Sequence, residues 1–550
     1  MTTLDFVVLF AFLAIVAVVS VAASRQENDR ADYFLAGRSL PWWLIGFSLI
    51  ASNISTEQFV GMTGTASRAG LAVASYEWLA APALVFVAWW LLPRFLRAGI
   101  MTIPEFLEYR FDRATRSILA GLMAVFFVFT VLATVLYSGS TFLSGVLDLP
   151  GLFARHFDLT PQTAESVAFY TGVWGIGLFA GVYTVLGGLK AVVWSDLLQG
   201  AALLAGGLTV ALLALAELGQ GQGIVAGWHA FTTANADRLH VIRPWNDPDV
   251  PSLSLVTGLW IPVMFYWGLN QFITQRTLAA GSLAEGQKGI FFAALIKLSL
   301  PLMVAMPGMM AVQILGADQA GDGAYPALLR HLLGPGMFGL MLAAITGSIL
   351  STFNSGLNSA ATVVTLDLYG TYVEPAMSEK RAVRVGQIAT VVLGIASCLW
   401  APIIRSFDGV FGYIQELWGF VSAPTCAVFF AGLVFRRLPA GAAKTALFVG
   451  PLLYLVSRTP AWLLTAEEAA ARGGLVAALR AYAGMSFLYH MFVLFLVLVA
   501  GLYVWARLRP LPTEWTLPDR AMVDVRPHPR AKLYGALVLA ATAAIYAWFW

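Results

Sequence analysis

Fourteen apolar runs, each long enough to cross a bilayer as a helix, dominate this chain and leave it few ways to fold. They lie near residues 4–23, 41–63, 73–93, 117–147, 166–187, 192–217, 253–275, 289–316, 336–369, 383–403, 409–435, 441–463, 481–505 and 532–550. The runs are continuous rather than alternating, which favours helices over barrel strands, because a helix in lipid satisfies its own backbone hydrogen bonds. Only 11% of the 550 residues are charged, against roughly 25% in a soluble domain. The expectation is an all-α membrane protein of about 14 transmembrane helices in one integral membrane domain over 1–550. The first run has no basic residue before it and a long apolar core, unlike a signal peptide, and reads as a retained helix.

Basic residues set the orientation. With the N-terminus outside, the connections from odd to even runs are cytoplasmic and hold 23 of the 33 Lys and Arg. The opposite loops hold 9, and Lys297 lies inside a helix. That positive-inside bias fits fourteen spans with both ends outside, in a multi-pass protein of the inner (plasma) membrane. The net charge of +3 arises in these loops and does not point to nucleic acid. Cys398 and Cys426 fall in predicted helices without metal-ligand spacing. The chain holds no P-loop, GxSxG, HExxH or CxxC motif, so the reading is a transporter driven by a gradient rather than an enzyme.

Two runs are interrupted. The second contains IASNISTEQFVGMTG, which puts Ser52, Asn53, Ser55, Thr56, Glu57 and Gln58 where lipid cannot hydrogen-bond them. The seventh carries Pro262 and Gly268, with Asn270 and Gln271 nearby. The two are five spans apart and enter the membrane from opposite sides, the mark of a secondary transporter built from inverted halves. Unwinding frees backbone carbonyls that an ion, water or protein donors must satisfy. The alternative for these polar residues is hydrogen-bonded glue between helices.

Further polar groups sit at membrane depth. Ser348, Ser351 and Thr352 share one face of the ninth span. Their hydroxyls suit a hard cation, and small-residue helix packing favours the same spacing. Glu77 and Lys297 each cost about 2.5–3.5 kcal/mol at a helix centre on insertion scales, so they either pair or face a polar cavity. With the amides of Gln58 and Gln415 they could bind a neutral polyhydroxylated solute, whose hydroxyls both donate and accept. Tyr266 and Trp267 offer aromatic faces for a sugar ring, or pack as core.

The segments DYFLAGRSLPWW, IASNISTEQFVGMTG, ASYEWLA, YTVLGGLKAVVWSDLLQ, YWGLNQFITQRTLAA, FNSGLNSAATVVTLDLY and YIQE occur in this order. In them the chain resembles the sodium/solute symporter family, in its sodium/glucose cotransporter branch, nearest to the bacterial sodium/galactose type. The resemblance implies two inverted five-helix repeats with broken first helices, over 41–217 and 253–435, and peripheral helices over 1–23 and 441–550. It implies sodium ligands at the carbonyls of Ala51, Ile54 and Ser348 and the hydroxyls of Ser351 and Thr352. Asp196 matches an acidic residue on the sodium path to the cytoplasm. Sugar contacts fall on Gln58, Glu77, Lys297 and Gln415, with Asn53 lining the site and Tyr266 stacking as an inner gate. Met62, Tyr76 and Phe411 match an outer lid. Val263 and Ala80 replace a sugar-binding Asn and a Ser of the galactose type, and losing a buried hydrogen-bond partner costs on the order of 1–3 kcal/mol. The function implied is sodium-coupled import of a sugar, a hexose such as glucose or galactose, by alternating access through the lipid bilayer. The alternative solutes are myo-inositol, an amino acid or a carboxylate.

Overall fold

A computed structural model describes residues 2–24, 34–247, 249–406 and 410–550, and these are helical apart from connections and two isolated β-bridges. The spans are α1 (Thr3–Ser24), the interrupted pair α2 (Trp42–Asn53) and α3 (Thr63–Ala69), α4 (Leu71–Ala98), α5 (Arg113–Leu147) and α6 (Pro161–Leu218). A second interrupted pair follows, α7 (Trp260–Met264) and α8 (Gln271–Leu278). Then come α9 (Leu283–Leu315), α10 (Met337–Tyr372), α11 (Glu379–Ser406), α12 (Val410–Val434), α13 (Ala440–Leu463), α14 (Phe487–Leu508) and α15 (Ala531–Trp548). Residues such as Phe10, Leu178, Phe179, Val392 and Phe448 expose more than half of their surface, as an outer face meeting lipid requires.

Among the described residues, twelve helices are long and apolar enough to cross a membrane, against fourteen expected. Both differences have a local cause. The run 41–63 is cut into α2 and a π-helical turn, Glu57–Met62, so no uninterrupted helix spans it. The run 166–187 shares one helical stretch, α6, with 192–217, and of that stretch only Val192–Leu218 counts as a long apolar helix among the described residues. Ile176 meets Ile349 beside Gly139 while Gln199 meets Gly347, so two points of α6 lie at one level of α10 and the stretch doubles back rather than forming one straight rod.

The breaks follow from side chains that compete with the backbone. In the first, the Ser55 N–H donates to Gln58 Oε1 (2.9 Å), Glu57 N–H to Ser55 Oγ (3.2 Å) and Gln58 N–H to the Ser55 carbonyl (3.1 Å). Those three N–H groups would otherwise serve the carbonyls of Ala51, Asn53 and Ile54, which are thereby released. In the second pair the break falls at Asn270, two residues beyond Gly268. Asn270 is extended and its side chain accepts from Phe272 N–H (3.1 Å), so it caps α8. Pro262 lies in the opening turn of α7, where a missing N–H is harmless.

Three arginines counted as cytoplasmic loop charges are structural instead. Arg38 donates to the carbonyls of Gly99 and Ile100 at the end of α4. Arg110 donates to those of Gly432, Phe435 and Leu438 around the end of α12, where a cation favours the helix dipole. Arg276, in α8, is fully buried. The positive-inside count therefore mixes surface charge with helix caps and a core cation.

α2 packs on α9, α6 and α10. Its contact with α9 is a backbone approach, for a Cβ on Gly289 would meet the Trp42 carbonyl at 2.8 Å and Ile45 Cβ at 2.9 Å. Gly289→Leu should lower the melting temperature of the detergent-solubilised protein, by an overpacking cost of about 1–3 kcal/mol. An unchanged melting temperature would rule out this close approach.

Candidate functional site

The broken turn after α2 has two faces. On one side a cavity is lined by Asn53, Glu57, Gln58, Met62, Tyr76, Glu77, Pro262, Val263, Tyr266, Trp267, Lys297, Ile414 and Trp418. Lys297 Nζ donates to both Glu77 Oε2 and Asn53 Oδ1, so the two charges carried by α4 and α9 pair directly. Lys297 also lies 5.0 Å from the Trp267 ring centroid. Asn53 Nδ2 donates to the Tyr266 hydroxyl at 3.1 Å, and Tyr266 stacks on Trp418 with centroids 5.3 Å apart. Gln58 uses its oxygen at the break, and its NH2 has no protein partner among the described residues. Met62 and Tyr76 line the same cavity, while the side chains of Phe411 and Gln415 lie outside the described residues.

On the other side, three elements converge on Asp196 of α6, which is fully buried. Ser48 Oγ and Ser52 Oγ of α2 and Ser351 Oγ of α10 donate to its carboxylate, the Ser52 bond measuring 3.1 Å. Arg276 Nη2 reaches it at 3.3 Å and also donates to Ser355 Oγ, while Arg276 Nε donates to Ser48 Oγ (2.8 Å). The released carbonyl of Ile54 accepts from Ser348 Oγ (2.5 Å), and Thr352 Oγ1 lies 3.5 Å from the Ser52 carbonyl. Ala51 packs against Gly200 of α6. The residues expected to hold sodium are thus brought to one junction of α2, α6 and α10. A hydroxyl that donates to a carboxylate or carbonyl still offers lone pairs to a cation, and the set is all oxygen, as a hard ion requires.

The sequence reading missed Arg276 and Trp418, and named Glu57 only as part of the polar insert. Glu57 is the acid in the cavity for which no ion pair occurs among the described residues. Of the two departures from the galactose pattern, Val263 lines the cavity, and Ala80 is fully buried in the core.

A model of the family described as sodium:solute symporters matches residues 33–154 and 159–450, most of the chain. The chain belongs to the sodium:solute symporter family. Relatives of this symporter include a sodium/glucose cotransporter of Vibrio parahaemolyticus, 38% identical over 79% of this chain and 81% of that protein. The uncharacterized symporter YidK of Escherichia coli is 34% identical over 100% of this chain and 91% of its own. The human sodium/myo-inositol cotransporter 2 is 31% identical over 82% of this chain and 68% of that protein. A solved sodium-coupled sialic acid symporter superposes with a TM-score of 0.74 over 94% of this chain and 99% of that one, at 22% identity, which shows a shared fold. Members of this family are sodium-coupled transporters rather than enzymes, and sodium is their coupling ion.

Removing one partner of a buried ion pair strands the other, at about 3–5 kcal/mol. Lys297→Met should therefore lower the melting temperature of the symporter more than Lys297→Met combined with Glu77→Gln. Equal losses for the single and the double variant would show that the pair is not coupled.

Proposed function

We propose that this symporter imports a neutral polyol, a hexose or a close relative of one, together with sodium. The observation that carries the reading is the Glu77–Lys297–Asn53 arrangement in the cavity wall. Its charges cancel, leaving a polar surface rich in donors and acceptors, and Glu57 adds a further carboxyl beside it. Lys297 is already matched by Glu77, which argues against a carboxylate held by Lys297. Tyr266, Trp267 and Trp418 offer flat apolar walls to the C–H face of a ring. The names of the relatives, one a glucose and another a myo-inositol cotransporter, support the same solute class.

In this account Ala51, Ile54, Ser348, Ser351 and Thr352 hold sodium, and Asp196 draws it onward. Gln58, Glu77, Lys297, Asn53 and Gln415 hold the solute, Tyr266 is the inner gate, and Met62, Tyr76 and Phe411 form the outer lid. The repeats 41–217 and 253–435 rock against each other in the inner membrane of the cell, with 1–23 and 441–550 as a peripheral frame. One sodium crossing 100 mV releases about 2.3 kcal/mol, and a tenfold gradient adds roughly 1.4 kcal/mol. Together these support accumulation on the order of a few hundredfold.

The test is uptake of labelled glucose, galactose, mannose and myo-inositol into proteoliposomes, with an inward sodium gradient or potassium in its place. Sodium-dependent accumulation of at least one is expected, and its absence for all four would overturn the polyol reading. Gln58→Ala should abolish most of that uptake while the protein still folds, with a lower melting temperature because the buried Ser55 N–H loses its acceptor. Thr352→Ala should raise the sodium concentration for half-maximal uptake several-fold, and an unchanged sodium dependence would remove Thr352 from the ion site. Val263→Asn should shift competition toward galactose by on the order of tenfold, the equivalent of one regained hydrogen bond.

A further inference from the structure

At the ends of α4, α12 and α14 that the positive-inside bias assigns to the cytoplasm, two cavities of about 420 and 450 Å³ adjoin and share Arg436. Arg94 and Arg97 line the first, Arg437 and Arg507 the second. Glu514 is the one acid lining either, and it lies 3.7 Å from both Arg436 and Arg437, beyond a good hydrogen bond. Five guanidiniums therefore face one carboxylate. The Arg97 side chain has no hydrogen-bond or ion-pair partner among the described residues, and the Arg94 side chain donates only to the Trp90 carbonyl of its own helix.

The arginines are held in place. The segment after α14 runs beneath the helix ends, and its backbone donates to the carbonyls of each arginine-bearing turn. Leu511 N–H bonds Arg437 (2.9 Å), Trp515 N–H bonds Arg436 (3.0 Å) and Arg520 N–H bonds Arg97 (2.8 Å). Trp515 Nε1 donates to the Tyr109 carbonyl, which fixes the indole in the cavity wall. Beside this cationic surface, Val434 and Leu508 are 62% and 76% exposed. A ligand that fits is thus anionic at one end and apolar at the other, and sits at the level where spans leave the membrane.

We propose that the paired cavities bind the phosphate headgroup of an anionic phospholipid of the cytoplasmic leaflet, with its acyl chains against Val434 and Leu508. Guanidinium forks match phosphate oxygens two at a time, and basic recesses at this depth suit anionic headgroups. The attachment would tie α4, which carries Glu77, to α12 and the segment 509–526.

The full-length protein is purified in a neutral detergent and titrated with mixed micelles containing phosphatidylglycerol, or phosphatidylcholine as the neutral reference. Bound lipid is counted by native mass spectrometry and stabilisation by melting temperature. Phosphatidylglycerol should bind and stabilise the wild type more than phosphatidylcholine does. The variant Arg94→Gln/Arg97→Gln/Arg436→Gln should bind it on the order of 100-fold more weakly, and Arg472→Gln, in another loop, should match the wild type. Arg97→Gln alone breaks no internal contact, so it keeps the test decisive if the triple variant does not fold, and it too should weaken binding. Equal phosphatidylglycerol binding by wild type and arginine variants would overturn the proposal. Stabilisation by inorganic phosphate or glycerol phosphate as strong as by phosphatidylglycerol would overturn it in favour of a soluble phosphorylated ligand.

Discussion

A carbonyl released from its helix inside a membrane has no water to turn to, and the three released between Ala51 and Ile54 organise the centre of this protein. Each must meet a donor or a cation. Ser348 of α10 comes to the released carbonyl of Ile54, and Thr352 comes near the neighbouring carbonyl of Ser52. Their helix brings Ser351 and Ser355 with it, which engage Asp196 and Arg276. Burying Asp196 without Arg276 and three serines would be prohibitive, since an isolated ionised carboxylate cannot leave water unpaired. The break, the hydroxyl face of α10 and the buried Asp196–Arg276 pair are thus one unit.

That unit gives coupling a physical form. Ser52 and Asn53 are neighbours in sequence and turn to opposite sides of the break. Ser52 bonds Asp196 on the side proposed for sodium, and Asn53 bonds Lys297 and Tyr266 on the side proposed for the solute. A cation that orders the first side fixes the backbone from which the second side hangs. The solute groups would then be preorganised only when sodium is present, which is positive linkage through a shared turn.

Much of this could be read from the sequence, because polar residues in an apolar run are conspicuous. The insert at 52–58, the pair Glu77 and Lys297, and the hydroxyls at 348, 351 and 352 all stood out against their background. Arg276 did not, because it follows a polar stretch, NQFITQ, and resembles a loop charge at the end of a span. Its partners Asp196 and Ser355 lie about 80 residues away in either direction, and no local pattern records such a contact. The second break was visible as a region but not to the residue, since Gly268 and Pro262 are stronger conformational signals than Asn270. The difference between fourteen apolar runs and twelve long helices among the described residues has a related reason. Hydropathy sees apolar length and not whether the helix is continuous, so it gives the run 41–63 as one span where the structure has two helices joined by a turn.

The most direct test of the shared turn is a reciprocal binding measurement on the purified protein. Affinity for the transported polyol is measured in sodium and in choline, and affinity for sodium with and without the polyol. The account predicts that each ligand tightens the other by the same factor, and that Ser351→Ala/Thr352→Ala removes the effect while polyol binding in choline is unchanged. Polyol affinity that is identical in sodium and choline would contradict it, because the two sides of the break would then act independently.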